Sequence, residues 1–356
     1  MNNKIFGIFI FMILMSSFLT NAQNINFESL KYENDEIDII TFDEENVPIW
    51  EVGNQWIYKV DEIVIEFDEP ELYMYIEGDI DDLTLIVDKV TEKFYELNFN
   101  ADIHGSYELN TDLGDGPINI TGELQNTIIQ GTITYNKTDL GITKVSVEIS
   151  GKLKVKIVDQ PYFEISFMPD IPIPATIILD VELGNPYPII DFPLSIGKYW
   201  GFPATNFSLS GTIESPWLKL ANFLNNIARI PGVIPILAAI LKTDPYLLEN
   251  ISDILLDILP VIDIEYVLNE YLDTGNIFEI PEVPPLLLCI GKENITIQTG
   301  EELEAYNISL MGSNISNIYY SPEVGNIIKI AGNFKDVLPF VSDINAELVA
   351  YSYTPS

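Results

Sequence analysis

The stretch Val145-Ser146-Val147-Glu148-Ile149-Ser150-Gly151-Lys152-Leu153-Lys154-Val155-Lys156-Ile157 decides the fold. Val145, Val147, Ile149, Leu153, Val155 and Ile157 set an apolar period of two, while Lys152, Lys154 and Lys156 take the opposite face. That period puts alternate side chains on the two faces of a pleated strand, so the segment reads as a half-buried antiparallel strand. The lysine stripe could be a binding face, but acidic neighbouring strands would supply cross-strand partners, and a structural role is the better reading.

Working outward, further strand-like runs span Leu83 to Val90, Phe94 to Asn100, Ile128 to Tyr135, Tyr162 to Met168 and Ala175 to Leu183, separated by Gly, Pro, Asn or Asp. An extended meander is expected. Two stretches look like copies of one motif: Val52-Gly53-Asn54-Gln55-Trp56 and Ile196-Gly197-Lys198-Tyr199-Trp200, each preceded by a proline, Pro48 and Pro193. A β-branched residue, a glycine and a tryptophan at the mouth of a strand need only a tight turn and an aromatic plug, so the likeness could also arise by chance.

Beyond the second copy the texture changes. Trp217, Leu220, Phe223, Leu224, Ile227 and Ile230 fall at helical spacing up to Pro231-Gly232, and Asp244 with Pro245 reads as the start of another helix. The spacing predicts a helical insertion over 215–272, either a lid over an apolar cavity or a cover for a sheet face. The expected fold is therefore mainly β: two curved antiparallel sheets, half-barrel or meander, the second carrying the insertion. The corresponding divisions are 1–22, 23–46, 47–188 and 189–356.

Residues 1–22 read as a signal peptide: Lys4, an apolar run from Ile5 to Met15, then Thr20-Asn21-Ala22, with cleavage expected after Ala22. The run is too short for a spanning helix, no cysteine for lipidation lies near the cleavage point, and no hydrophobic tail precedes Ser356. A secreted or extracytoplasmic location without stable membrane insertion is expected, with an uncleaved anchor as the alternative. Residues 23–46 form an acidic leader arm.

The 356 residues carry 54 acidic against 17 basic side chains, a formal charge of −37, which repels nucleic-acid phosphates and anionic lipid head groups. Solubility explains that charge more simply than cation binding does. Cys289 is the sole cysteine and sits in an apolar run, so it reads as a buried small hydrophobe rather than half of an intramolecular disulfide.

The stretches Glu302 to Ile308, Tyr319-Tyr320-Ser321-Pro322-Glu323-Val324-Gly325-Asn326 to Ile330, and Glu347 to Tyr353 carry a resemblance. With the Gly-x-x-Trp strand opening at Trp200 and the closing Tyr-Ser-Pro-x-x-Gly at Tyr320 to Gly325, the chain resembles uncharacterised secreted prokaryotic β-proteins, similar to the half-barrel lipoprotein carriers. It covers the last fifty or so residues and the two tryptophan motifs. Those carriers hold lipid tails in a concave sheet; the resemblance implies a curved antiparallel sheet with a helix-bearing insertion, which departs from the simple carrier pattern, and it supplies no catalytic residue. Read by itself, Ser-Pro-x-x-Gly is a turn, with Pro fixing φ and Gly accepting a positive one.

Candidate chemistry is sparse. A single histidine, His104, in a Gly-flanked, turn-like stretch, argues against a His-dependent triad and a multi-histidine zinc site. Asp273-Thr274-Gly275 matches half of an aspartic-protease signature without a second copy, and a helix-terminating turn explains it. Asp79, Asp81 and Asp82, and Asp112 with Asp115 and Gly116, lack the alternating oxygens of a calcium loop and read as acidic turns. Seven sequons, at Asn119, Asn136, Asn206, Asn250, Asn294, Asn307 and Asn314, offer glycosylation sites in an exported chain.

The expected function is a non-catalytic binding protein, without cofactor or metal, holding an apolar small molecule or lipid between the second sheet and the insertion, with Trp200, Trp217 and Phe223 as contacts. The alternatives are a structural or adhesive module with an envelope-protein partner, and a hydrolase built on two carboxylates. Neither needs nucleic acid.

Overall fold

The computed structural model describes residues 44–69, 72–112, 117–158, 172–214, 276–280, 282–311, 313, 315–334 and 341–355. Fourteen strands run through them. The first six are long, at 15 to 20 residues: β1 (Gln55–Glu69), β2 (Leu72–Val90), β3 (Phe94–Asp112), β4 (Pro117–Asn136), β5 (Ile142–Val158) and β6 (Pro172–Tyr187). Then come β7 (Tyr199–Phe202), β8 (Thr205–Glu214), β9 (Asn276–Ile280), β10 (Val283–Thr296), β11 (Glu302–Leu310), β12 (Asn317–Ser321), β13 (Asn326–Gly332) and β14 (Val341–Ser352). The decisive stretch lies inside β5. Val145 and Val147 are buried and Lys144 is exposed, as the period of two requires.

All fourteen strands belong to one antiparallel sheet, in the order β7-β10-β11-β12-β13-β14-β1-β2-β3-β4-β5-β6-β8-β9. The expected division into two sheets is corrected here. β14 pairs with β1 along most of its length, from Gln55↔Ser352 to Ile65↔Val341, and so joins the two halves of the chain into a single ladder. A pairing between residues so distant in sequence leaves no mark on local periodicity.

The ladder is not closed into a barrel, because β7 and β9 end it. Its ends are nevertheless tied by the chain. β7 runs into β8 across Pro203 and Ala204, two residues separate β9 from β10, and the pairs Phe202↔Val283 and Thr205↔Ile280 keep one register across the break. Side chains of β4, β5 and β6 accordingly meet those of β7, β10, β11 and β12 in a common core. Val147, Leu179, Trp200, Leu287, Ile308 and Ile318 belong to it. A second cluster gathers Trp50, Trp56, Val87, Leu97, Leu303 and Leu348.

His104 and the acidic runs depart from their expected turns. His104 is exposed in mid-β3 opposite Asp79 of β2, and Asp79 and Asp81 lie within β2. Asp82, at φ 52°, sits where the register between β2 and β3 shifts, so it marks a bulge rather than a chain reversal. The flanking glycines serve close approach: Gly78 faces Gly105, and a Cβ on either would lie 2.6 or 2.4 Å from a carbonyl oxygen of the neighbouring strand.

No helix occurs among the described residues, and none there is long and apolar enough to cross a membrane. The expected insertion over 215–272, with Asp244 and Asp273-Thr274-Gly275, lies outside them, as do Asp115 and Gly116.

Candidate functional site

The two tryptophan motifs fold into the same corner. In the first, Asn54 N–H donates to Glu51 O (3.0 Å) with Gly53 at φ 92°; in the second, Lys198 N–H donates to Ser195 O (3.1 Å) with Gly197 at φ 87°. A positive φ at the third residue defines a turn that only glycine enters easily. Each corner then clasps one residue of a neighbouring strand from both sides. Gly53 N–H donates to Val87 O and Val87 N–H to Asn54 O; Gly197 N–H donates to Cys289 O and Cys289 N–H to Lys198 O, all at 2.8 or 2.9 Å. The copies thus agree bond for bond.

The first corner meets the Ser-Pro-x-x-Gly turn. Val324 N–H and Gly325 N–H both donate to Ser321 O, and Gly325 takes φ 64° between β12 and β13, as that sequence predicts. Trp50 Nε1 donates to Gly325 O and Trp56 Nε1 to Val324 O, each at 2.9 Å. Trp50 packs tilted against Trp56 at 5.1 Å and Tyr95 at 5.2 Å, and edge-on to Tyr135 at 5.4 Å.

The second corner anchors a strap, residues 188–194, that leads out of β6. Lys198 Nζ donates to Asp191 O (2.6 Å) and Pro193 O (2.9 Å) and pairs with Asp191 Oδ2 at 3.0 Å. Trp200 Nε1 donates to Ile189 O at 3.2 Å. Beyond it, Leu194 and Glu45 exchange backbone hydrogen bonds of 2.8 Å, so the segment before β1 lies against the strap.

Between these parts lies an apolar cavity of about 180 Å³. Tyr58, Val60 and Ile63 of β1 and Leu83 and Leu85 of β2 form one wall; Ile327 and Ile330 of β13 and Ile344 and Ala346 of β14 form another. Ile189, Ile190 and Phe192 of the strap also line it, with Trp50, Tyr135, Leu140 and Tyr320, and Asn326 and Lys329 bring polar groups to the wall. Burial pushes the Tyr58, Tyr135 and Tyr320 phenols well above their ordinary range; at Tyr320 the Glu45 carboxylate adds to the effect. All three therefore stay neutral at physiological pH, and the Tyr58 hydroxyl donates its proton to Ile327 O at 2.8 Å.

Trp200 is fully packed in the core and positions the strap without lining the cavity. Trp217 and Phe223 lie outside the described residues, as do Asn250 and Asn314. Asn119 lies in β4; Asn206 and Asn294 are exposed on β8 and β10; Asn136 turns its side chain onto Thr138. Asn307 is buried, its amide held by Glu293. Sequence reasoning missed Trp50, Tyr58 and Tyr320 as cavity residues. The signal for Trp50 was its place just ahead of the first corner, and for Tyr320 its place at the head of the closing motif.

No protein-family model matches the chain, and no curated protein and no solved structure matches it significantly. Among the described residues no group of three His, Cys, Asp or Glu side chains is placed to hold a metal.

Proposed function

We propose that this is an exported, non-catalytic binding protein whose curled sheet acts as a half-barrel and holds an apolar molecule or a lipid chain beneath the 188–194 strap. The carrying observation is the cavity: about 180 Å³, walled by aliphatic and aromatic side chains from β1, β2, β13 and β14. Apolar space of this size takes apolar guests; an engineered cavity of about 150 Å³ binds benzene. Ala346 is the smallest side chain on that wall, so enlarging it is a direct test. Ala346→Phe is expected to abolish displacement of a bound fluorescent apolar probe while shifting the urea midpoint only modestly; undiminished probe binding by the folded variant would place the guest elsewhere.

A second reading, a module that docks on an envelope protein, is favoured by large apolar side chains exposed at both corners. Val52 and Tyr199 are each 65% exposed, and Ile49 and Ile290 lie more than half open. Loss of partner capture on Val52→Ser with Tyr199→Ser, with probe binding intact, would favour it.

A further inference from the structure

A second, open concavity of about 440 Å³ lies over β3, β4, β5 and β6 and shares no residue with the apolar cavity. Its floor is the backbone of Phe99, Gly131 and Val147, which pair with one another across three strands, while the Phe99 and Val147 side chains turn into the core. A side chain at Gly131 would collide with the Ser146 carbonyl, so glycine there lets the strands close up. On the face away from the core the register sets Asn98, Thr132 and Ser146 in one row and Asn100, Gln130 and Glu148 in the next. Neighbours within a row stand about 4.8 Å apart and the rows about 6.7 Å apart, the scale of a pyranose ring.

Among the described residues the side chains of Asn98, Asn100, Gln130, Thr132 and Glu148 make no hydrogen bond or ion pair with the protein. Ser146 is engaged: its hydroxyl donates to Asp180 Oδ1, and Lys144 pairs with the same carboxylate at 3.9 Å. Carboxamides and hydroxyls both donate and accept, so this set matches a guest whose own polar groups are hydroxyls. Aliphatic side chains flank it. Ile178, opposite Glu148, is 40% exposed and Ile86, opposite Asn98, 36%, which suits the C–H face of a sugar ring. Glu148 is the one charged side chain of the lining, so an anionic guest would meet it, and a chain of formal charge −37, without a cation in the lining to offset them.

We infer that this concavity is a second binding site, separate from the apolar cavity, and that it takes a neutral saccharide. Asn98, Asn100 and Gln130 hydrogen-bond the sugar hydroxyls, and Ile178 packs against the ring. The volume lies in the range of small-molecule sites, about 300–1,000 Å³, and the open face admits a ring within a longer glycan as readily as a free sugar.

The test is calorimetric titration of the native chain with glucose, mannose, cellohexaose, maltohexaose, mannohexaose and hexagalacturonate, repeated on the double variant Asn100→Ala with Gln130→Ala. At least one neutral sugar is expected to bind, about tenfold or more tighter than hexagalacturonate. The double variant is expected to weaken that sugar at least about tenfold, the worth of two neutral hydrogen bonds. Both side chains are exposed, so its urea midpoint and its displacement of the apolar probe should match the native chain. Tighter binding of a hexasaccharide than of its monosaccharide supports the inference with a glycan chain as source, and equal binding supports it with a free sugar. Binding of no neutral sugar, equal binding of hexagalacturonate, or native affinity in the double variant overturns the inference and leaves the apolar cavity's function standing. Ala346→Phe is expected to keep saccharide binding; its loss there in a folded chain would place the sugar in the apolar cavity and overturn the second site.

Discussion

The two Gly-x-x-Trp corners have one backbone and two trades. Around Gly53 and Gly197 the turns, the positive φ angles and the two-sided clasp of a neighbouring residue coincide, yet Trp56 reaches across to the Val324 carbonyl while Trp200 reaches back to Ile189 in the strap. The first corner braces the closing turn at one wall of the cavity. The second holds the cover over it. A short motif therefore dictates the turn and the entry of the strand, and its surroundings decide what the tryptophan does.

Removing the larger side chain should separate the corners most. Trp56 has no exposed surface, and Trp56→Ala is expected to cost about 3–5 kcal/mol, enough to move the urea midpoint of the whole chain. A loss below about 2 kcal/mol would mean that the first corner is not a keystone of the sheet.

Glycine substitutions come next in size and probe the backbone that the corners share. Nothing lies within 4 Å of a Cβ built on Gly53 or Gly197, so Gly53→Ala and Gly197→Ala should meet only the strain of positive φ, about 1–2 kcal/mol each and closely matched. Gly325→Ala should cost more, because its Cβ would lie 2.5 Å from the Tyr353 ring. Unequal costs at Gly53 and Gly197 would break the equivalence of the corners.

The smallest expected effect is a pH dependence confined to the second corner, where Cys289 stands in the place that Val87 holds in the first. Burial pushes the Cys289 thiol from 9.0 up to about 11. A folded value above the unfolded one gives stability that is complete below pH 9 and lost as pH climbs through 11. Cys289→Val should flatten that part of the alkaline decline in stability and change the value at pH 7 by less than about 1.5 kcal/mol. An unchanged alkaline profile would assign the decline to the buried tyrosines alone.

Much of the fold was legible. The period of two across β5 survives because one face is buried, and the corner repeat and the Ser-Pro-x-x-Gly turn are local enough to be written in a few residues. The strands β2 and β3 were foreseen at about half length, since Asp79, Asp82, His104 and Gly105 look like turn residues until Gly78 and Gly105 are seen face to face across the ladder. The single sheet was not legible, because it hangs on the pairing of β1 with β14. Nor was the cavity. Trp200 was a reasonable aromatic candidate, but the lining comes from segments as far apart as Trp50, Leu140, Ile190 and Ile344, and only the curl of the sheet brings them together.

The pairing of β1 with β14 also sets an order of assembly. Gln55 finds Ser352 only after almost the whole ladder has been synthesised, so contact order is high and the first strand waits with one edge bare. A waiting edge is a template for aggregation, and Asp61, Glu62 and Glu66 along β1 are the kind of charged residues that keep such an edge from recruiting a stranger before its proper neighbour arrives.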